Sequence, residues 1–291
     1  MNDSPMSDAP FFRELAAELD RHGRLALATV VETRGSGPSK VGRRFLIRPD
    51  GSFAGTIGGG PFEALVIADA AALFREEGSG LRRFLKWYDF FEREIESGEP
   101  REATNMICGG SARVFVELVQ ASPALLVLGG GHVGLALARL AIPLGYDVTI
   151  ADDREEYARA DRFPPEVRAV RTPRDYALPP DALERTRGRD RYVAVVSRCW
   201  ETDLAALRPW LAEGAPEARY LGLIGSVRKV RGVFAKLREE GVPESRISRV
   251  RAPIGLSIGA VTPEEIAVSI LAEITAVRRE AAVPALMESR R

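Results

Sequence analysis

The chain has 291 residues, 45% of them hydrophobic and 28% charged, and its 41 basic and 41 acidic side chains leave a formal net charge of zero. This composition excludes a wholly disordered or fibrous chain, and the charge balance gives no global support to nucleic-acid binding. Two cysteines and two histidines exclude a disulfide-stapled scaffold, a four-cysteine zinc site and a histidine-rich metal centre within one chain, so no metal site is expected.

The length predicts about two domains. The polar, proline-bearing link Gln120-Ala121-Ser122-Pro123 divides them into residues 1–120 and 121–291. Apolar spacing through Phe12, Leu15, Ala16 and Leu19 predicts a helix over 11–21, ended by Gly23. A buried strand is predicted at 25–31, a glycine-rich loop at 33–38, and a second strand at 45–47 closed by the turn Pro49-Asp50-Gly51. A third strand over 53–57 leads into Gly58-Gly59-Gly60, and Pro61 opens a helix over 62–75. Strands at 82–88 and 112–118 complete a small α+β domain. The second segment alternates more regularly. Strands are predicted at 125–128, 147–151, 167–170, 192–196 and 220–224, and helices at 133–144, 203–211 and 227–240. Such alternation implies a doubly wound parallel α/β sheet. The capping box Thr262-Pro263-Glu264-Glu265 starts a long last helix with Ile266, Ile270, Ile274 and Val277 on one face. No stretch approaches the roughly 20 apolar residues of a membrane span, and the N-terminus lacks a signal-peptide pattern, so the expected location is the cytoplasm.

The strongest chemical signal is Gly129-Gly130-Gly131-His132-Val133-Gly134, which fits G-x-G-x-x-G between a predicted strand and a predicted helix. Gly129, Gly131 and Gly134 take the three glycine positions: tight turn, backbone approach to a phosphate, close helix packing. Asp152 ends the next strand, where an acid binds ribose hydroxyls. The pattern implies a Rossmann-like domain; whether a dinucleotide occupies it is a separate question. His132 reads either as a phosphate contact or as an ordinary helix-start residue. Gly58, Gly59 and Gly60 before a helix form a second candidate anion cradle, and Glu63 either compensates that helix's dipole or faces a ligand. Gly225-Ser226 before the helix carrying Lys229 is a third, with Lys229 either a phosphate partner or a solvated surface lysine. Cys108, in Met106-Ile107-Cys108-Gly109-Gly110-Ser111, and Cys199, in Ser197-Arg198-Cys199-Trp200, are candidate reactive thiols; the alternative for each is an inert structural cysteine.

In order along the chain, ATVVETRGSGP, DGSFAGTIGGG with Glu63, ICGGSARVFVE, VLGGGHVGLALARLA, VTIADDR, YLGLIGSVRK and APIGLSIGAVTPEEIAVSILAEI span residues 28 to 275. This succession resembles the xanthine dehydrogenase accessory factors, the XdhC/CoxI family. The resemblance implies an N-terminal accessory domain and a C-terminal Rossmann domain. It also implies a chaperone that binds molybdenum cofactor, assists its sulfuration and delivers it to a molybdenum hydroxylase, with a cysteine desulfurase as a further partner. Glu63, Cys108, His132, Asp152, Asp203, Gly225, Ser226 and Lys229 match the family's pattern. Pro61 stands where the family usually has cysteine, Ser197-Arg198-Cys199-Trp200 where it has histidines, Arg251 where it has histidine and Ser257 where it has aspartate. These changes remove soft ligands and proton carriers, which keeps a second reading alive: an NAD(P)-dependent oxidoreductase holding NAD or NADP on Gly129, Gly131, Gly134 and Asp152, with Glu63 as acid or base. A third is a partner-binding protein with an empty pocket. Helices of the first domain that need covering make a homodimer a candidate assembly.

Overall fold

The computed structural model describes residues 8–75, 82–90, 101–104 and 109–281. The chain divides into two compact units, Met1–Ala121 and Ser122–Arg291.

The first unit contains helix α1 (Asp8–His22), strands β1 (Arg24–Gly35), β2 (Arg44–Ile47) and β3 (Phe53–Gly55), helix α2 (Gly60–Arg75), and strands β4 (Arg83–Asp89), β5 (Arg101–Ala103) and β6 (Gly110–Gln120). They form a mixed sheet in the order β3-β2-β1-β6-β4-β5, in which only the β4–β5 pair is parallel. Alternate residues of β1, namely Ala26, Ala28 and Val30, are buried in one core with Phe62, Val66 and Ala70 of α2. β1 is longer than its sequence suggests. The register with β6 shifts between Val30 and Glu32, after which Thr33, Arg34 and Gly35 pair with Ala112, Ser111 and Gly110. The first part of the predicted glycine-rich loop is therefore strand, because the bulge lets the ladder resume.

The second unit runs β7 (Ala124–Leu128), α3 (His132–Ala141), β8 (Asp147–Asp152), β9 (Arg168–Arg171), α4 (Pro180–Glu184), β10 (Arg191–Val195), α5 (Trp200–Leu211), β11 (Tyr220–Leu223), α6 (Val227–Glu239), α7 (Glu244–Ile247), β12 (Val250–Arg251) and α8 (Pro263–Arg278). All six strands are parallel, in the order β12-β11-β10-β7-β8-β9. This is the doubly wound sheet that the alternating pattern implies. Every residue of β7 is buried, as expected of a central strand covered on both faces. One face packs residues of α3 and α8, the other residues of α5 and α6. The order reverses between β7 and β10, so the loops leaving these two strands diverge at the sheet's carboxyl edge, where open α/β sheets place ligands.

Two helices depart from their predicted limits for identifiable reasons. α3 gives way at Ile142 to a 3₁₀ turn containing Pro143, whose ring cannot sit in a helix interior. α5 begins three residues early because Cys199 and Thr202 cap it reciprocally. The capping box at Thr262 and Glu265 forms as the sequence indicates. Among the described residues no helix is long and apolar enough to cross a membrane.

A Cβ on Gly134 would fall inside the van der Waals shell of the Gly129 carbonyl oxygen, whereas one on Gly131 would meet nothing within 4 Å. Gly134→Ala is therefore expected to destabilise the second unit by about 1–3 kcal/mol, the usual cost of overpacking. Gly131→Ala is expected to cost less than about 1 kcal/mol, through the cap alone. Chemical denaturation followed by tryptophan fluorescence checks both.

Candidate functional site

The candidate site is the carboxyl edge of the second unit's sheet, built from three strand-to-helix turns. At the first, after β7, Gly129 has φ +126, and a Cβ there would lie 2.6 Å from the Val196 carbonyl oxygen. The turns after β7 and β10 thus meet backbone to backbone. Gly131 is the N-cap of α3 and supplies no side-chain cap, so the first amides of that helix face open space. Such an end carries the positive pole of the helix dipole and accepts an oxyanion. His132 is the exposed first residue of α3, and Val133 packs against the core beneath it.

Asp152, at the end of β8, is fully buried. It accepts the Gly130 N–H at 2.8 Å and the Arg154 backbone N–H at 3.0 Å. The Arg154 guanidinium closes a bidentate pair with it at 2.9 and 3.0 Å and lies 3.6 Å over the Tyr157 ring. The acid at the ribose position is thus engaged from within the chain. Beside it, Asp153 receives two donors from Arg198, at 2.5 and 2.8 Å. This pair joins the segments that follow β8 and β10, the two strands flanking β7. The Arg198 guanidinium holds the Asp153 carboxyl below the usual aspartate range.

The remaining two turns share a polar cluster. Ser197 donates to Asp203 Oδ1 at 2.6 Å, and Lys229 Nζ lies 2.5 Å from Asp203 Oδ2. Asp203 is fully buried. Burial pushes its pKa up, against the pull of Lys229 and Ser197. The half-buried Cys199 places its Sγ 3.3 Å from Thr202 Oγ1. Ser226 caps α6 by accepting the Lys229 N–H at 3.3 Å, and the Lys229 stem passes beside Gly225.

In the first unit, Glu63 Oε1 accepts Thr56 Oγ1–H at 2.6 Å and the N–H groups of Ile57, Gly58 and Gly59 at 2.9, 3.3 and 2.9 Å. Gly60 is the first residue of α2. The amides of Gly58 and Gly59 face the chain's own carboxylate. Cys108 lies outside the described residues.

The structure thus gathers Gly129, Gly131, His132, Val133, Gly134 and Asp152 at one turn. Cys199, Gly225, Ser226 and Lys229 lie at its neighbours on the same edge, and Glu63 with Gly58–Gly60 belongs to a separate loop of the first unit. Sequence reasoning missed Arg154, Ser197 and the central position of Asp203. It also missed Glu273 on α8, which accepts the Tyr220 hydroxyl at 2.6 Å and the Gly255 N–H at 2.8 Å and so anchors the loop after β12. A signal for Glu273 existed: it falls on the apolar face set by Ile270, Ile274 and Val277. Among the described residues no group of three or more His, Cys, Asp and Glu side chains could hold a metal ion.

Fold and edge together define a two-unit protein whose second unit is a Rossmann-like domain with an internally paired acid. Residues 125–274 match the XdhC Rossmann domain and residues 19–85 match the XdhC and CoxI family. The chain belongs to the XdhC and CoxI family. It is 35% identical over 270 residues to the uncharacterized protein YqeB of Escherichia coli K12, covering 93% of this chain and 46% of that one. It is 28% identical over 174 residues to a probable xanthine dehydrogenase polypeptide of Bacillus subtilis 168, covering 60% and 48%. Over 282 residues it is 28% identical to the molybdenum cofactor insertion chaperone PaoD of Escherichia coli K12, covering 87% and 83%. The chain spans about half the length of the first two relatives.

The Asp153–Arg198 pair gives a pH signature. A carboxylate whose folded pKa is depressed contributes stability that is fully present above the ordinary aspartate value near ~4 and is lost as pH falls through the lowered folded value. Asp153→Asn is expected to lower stability at pH 7 by about 1–2 kcal/mol. The gap from the parent protein should shrink as pH drops from ~5 to ~2. Urea denaturation across that range measures the convergence.

Proposed function

We propose that the protein handles molybdenum cofactor as cargo and supports its insertion into a molybdenum hydroxylase, with a cysteine desulfurase as a sulfur-supplying partner. Similarity to PaoD along most of both chains supports this reading. The observation that carries it against an NAD(P)-dependent oxidoreductase is the state of Asp152. Its two oxygens are committed to the Gly130 N–H and to Arg154, so ribose hydroxyls meet an acid with its partners already in place. The open amides at Gly131 remain suited to an oxyanion, which a phosphate-bearing cofactor supplies. Lys229, fixed by Asp203, offers a cation on the same edge, and Cys199 offers a thiol there. In this reading Cys108 is the second candidate thiol, and Glu63 keeps the first unit's glycine loop in shape.

Gly131→Asp tests the assignment. An aspartate is among the best N-cap residues, so the variant should match or exceed the parent in thermal stability while its carboxylate takes the position offered to the oxyanion. The parent protein, purified natively from cells that make molybdenum cofactor, should carry a pterin detectable by mass spectrometry. Gly131→Asp should retain at least ~10-fold less, as expected when charge-assisted hydrogen bonds are lost. Near-stoichiometric NAD(H) or NADP(H) with no pterin would overturn the proposal.

A further inference from the structure

On the face of the second unit that carries α5 and α6, a cavity of about 540 Å³ runs along α6. That volume lies in the range of small-molecule sites. Trp200, Ser226, Arg228, Lys229, Gly232 and Lys236 contribute to its lining.

Three features of this cavity have no structural explanation. Trp200, the first residue of α5, is 48% exposed and has no ring or cation partner among the described residues. An indole at a cavity rim offers a stacking face, and leaving it in water has a hydrophobic cost. Arg228 is exposed and forms no ion pair or hydrogen bond among the described residues, whereas Lys229 is held by Asp203 and Lys236 by Glu239 at 2.9 Å. Among the described residues the cavity therefore has one uncommitted cation, and it is a guanidinium, which binds oxyanions in bidentate fashion. Gly232 sits inside the 13-residue helix α6, where glycine is the poorest helix former after proline. A Cβ there would meet nothing within 4 Å, so packing does not require the glycine. What its missing side chain does is keep the cavity open at the helix surface.

We infer that this groove binds a planar heteroaromatic compound carrying a phosphate, with the ring stacked on Trp200 and the phosphate on Arg228. The inference stands apart from the cofactor-insertion reading: Ser226 and Lys229 line both sites, but Trp200, Arg228 and Gly232 belong to the groove alone.

Flavin mononucleotide, AMP, riboflavin and inorganic phosphate serve as probes for the full chain, with binding followed by calorimetry. A ring-bearing phosphate should bind saturably, and the tighter of flavin mononucleotide and AMP indicates the ring size accepted. Riboflavin and inorganic phosphate should each bind at least ~10-fold more weakly, since each lacks one of the two contacts. Trp200→Ala should weaken binding by roughly 10-fold or more. Arg228→Ala should remove the preference for flavin mononucleotide over riboflavin. Gly232→Leu is the decisive variant, because propensity should raise its melting temperature by roughly 2–4 °C while the new side chain closes the groove. Stabilisation with loss of binding supports the inference. Unchanged binding by Gly232→Leu, equal affinity for riboflavin and flavin mononucleotide, or no saturation by either nucleotide up to ~1 mM overturns it. Pterin retention by the parent and Gly131→Asp proteins is read separately, so either proposal can fail alone.

Discussion

The carboxyl edge of the second unit depends on backbone touching backbone at the point where the strand order reverses. Gly129 meets the Val196 carbonyl, and the same turn is tied to its other neighbour by the Gly129 N–H bond to Ala151 at 2.8 Å. The Val196 N–H donates to the Leu128 carbonyl at 2.9 Å, which carries the ladder of β7 and β10 to its last residue. Protein interiors have no spare volume to absorb a displaced turn. A side chain at Gly129 or Gly134 would therefore move the start of α3, and with it the open amides at Gly131. The same contact fixes where β10 ends, and so where Ser197 and Cys199 leave the sheet and where α5 delivers Asp203.

Buried carboxylates hold the loops that surround this frame. Glu63 gathers the amides of Ile57, Gly58 and Gly59; Asp152 takes the Gly130 amide; Glu273 takes the Gly255 amide; Asp203 binds Ser197 and Lys229. An ionised carboxylate removed from water is costly unless its oxygens are fully used. Backbone amides and a paired cation supply what water would have supplied, through short charge-assisted bonds. Each acid thereby converts a glycine-rich or irregular segment into a fixed one. This also explains why glycine loops that look like anion cradles already contain an anion: the chain brings its own.

The sequence carries the frame better than the ties. The run Leu125–Leu128 reads as a central parallel strand because all its residues are apolar, and α8 begins where its capping box places it. The G-x-G-x-x-G spacing locates the turn because the close approach admits only glycine at fixed positions. What stays hidden depends on partners distant in sequence. Whether Thr33–Gly35 is loop or strand is decided by Gly110–Ala112, and the two-residue β12 exists only because β11 lies beside it. Asp152 is legible as an acid at a strand end, but its pairing with Arg154 rests on a side-chain conformation that no spacing rule encodes. Glu273 is the exception, an acid on an apolar helix face whose position alone demands a buried partner.

These internal pairings bear on what the edge can hold. A ribose approaching Asp152 must compete with Arg154 for the same oxygens, and leaving a buried guanidinium or carboxylate half-satisfied costs more than a new neutral hydrogen bond returns. An oxyanion approaching the first turn of α3 breaks nothing, because those amides have no side-chain cap to displace. The edge therefore favours the phosphate end of a ligand and disfavours the sugar end. Lys229 reinforces the bias only weakly while Asp203 holds it, since the pair is close to neutral at a distance and acts as a cation only at contact. A site with one open anion position and otherwise satisfied charges binds by local geometry rather than by a strong field, which suits a cargo that must be released to a partner more than a cofactor held through many turnovers.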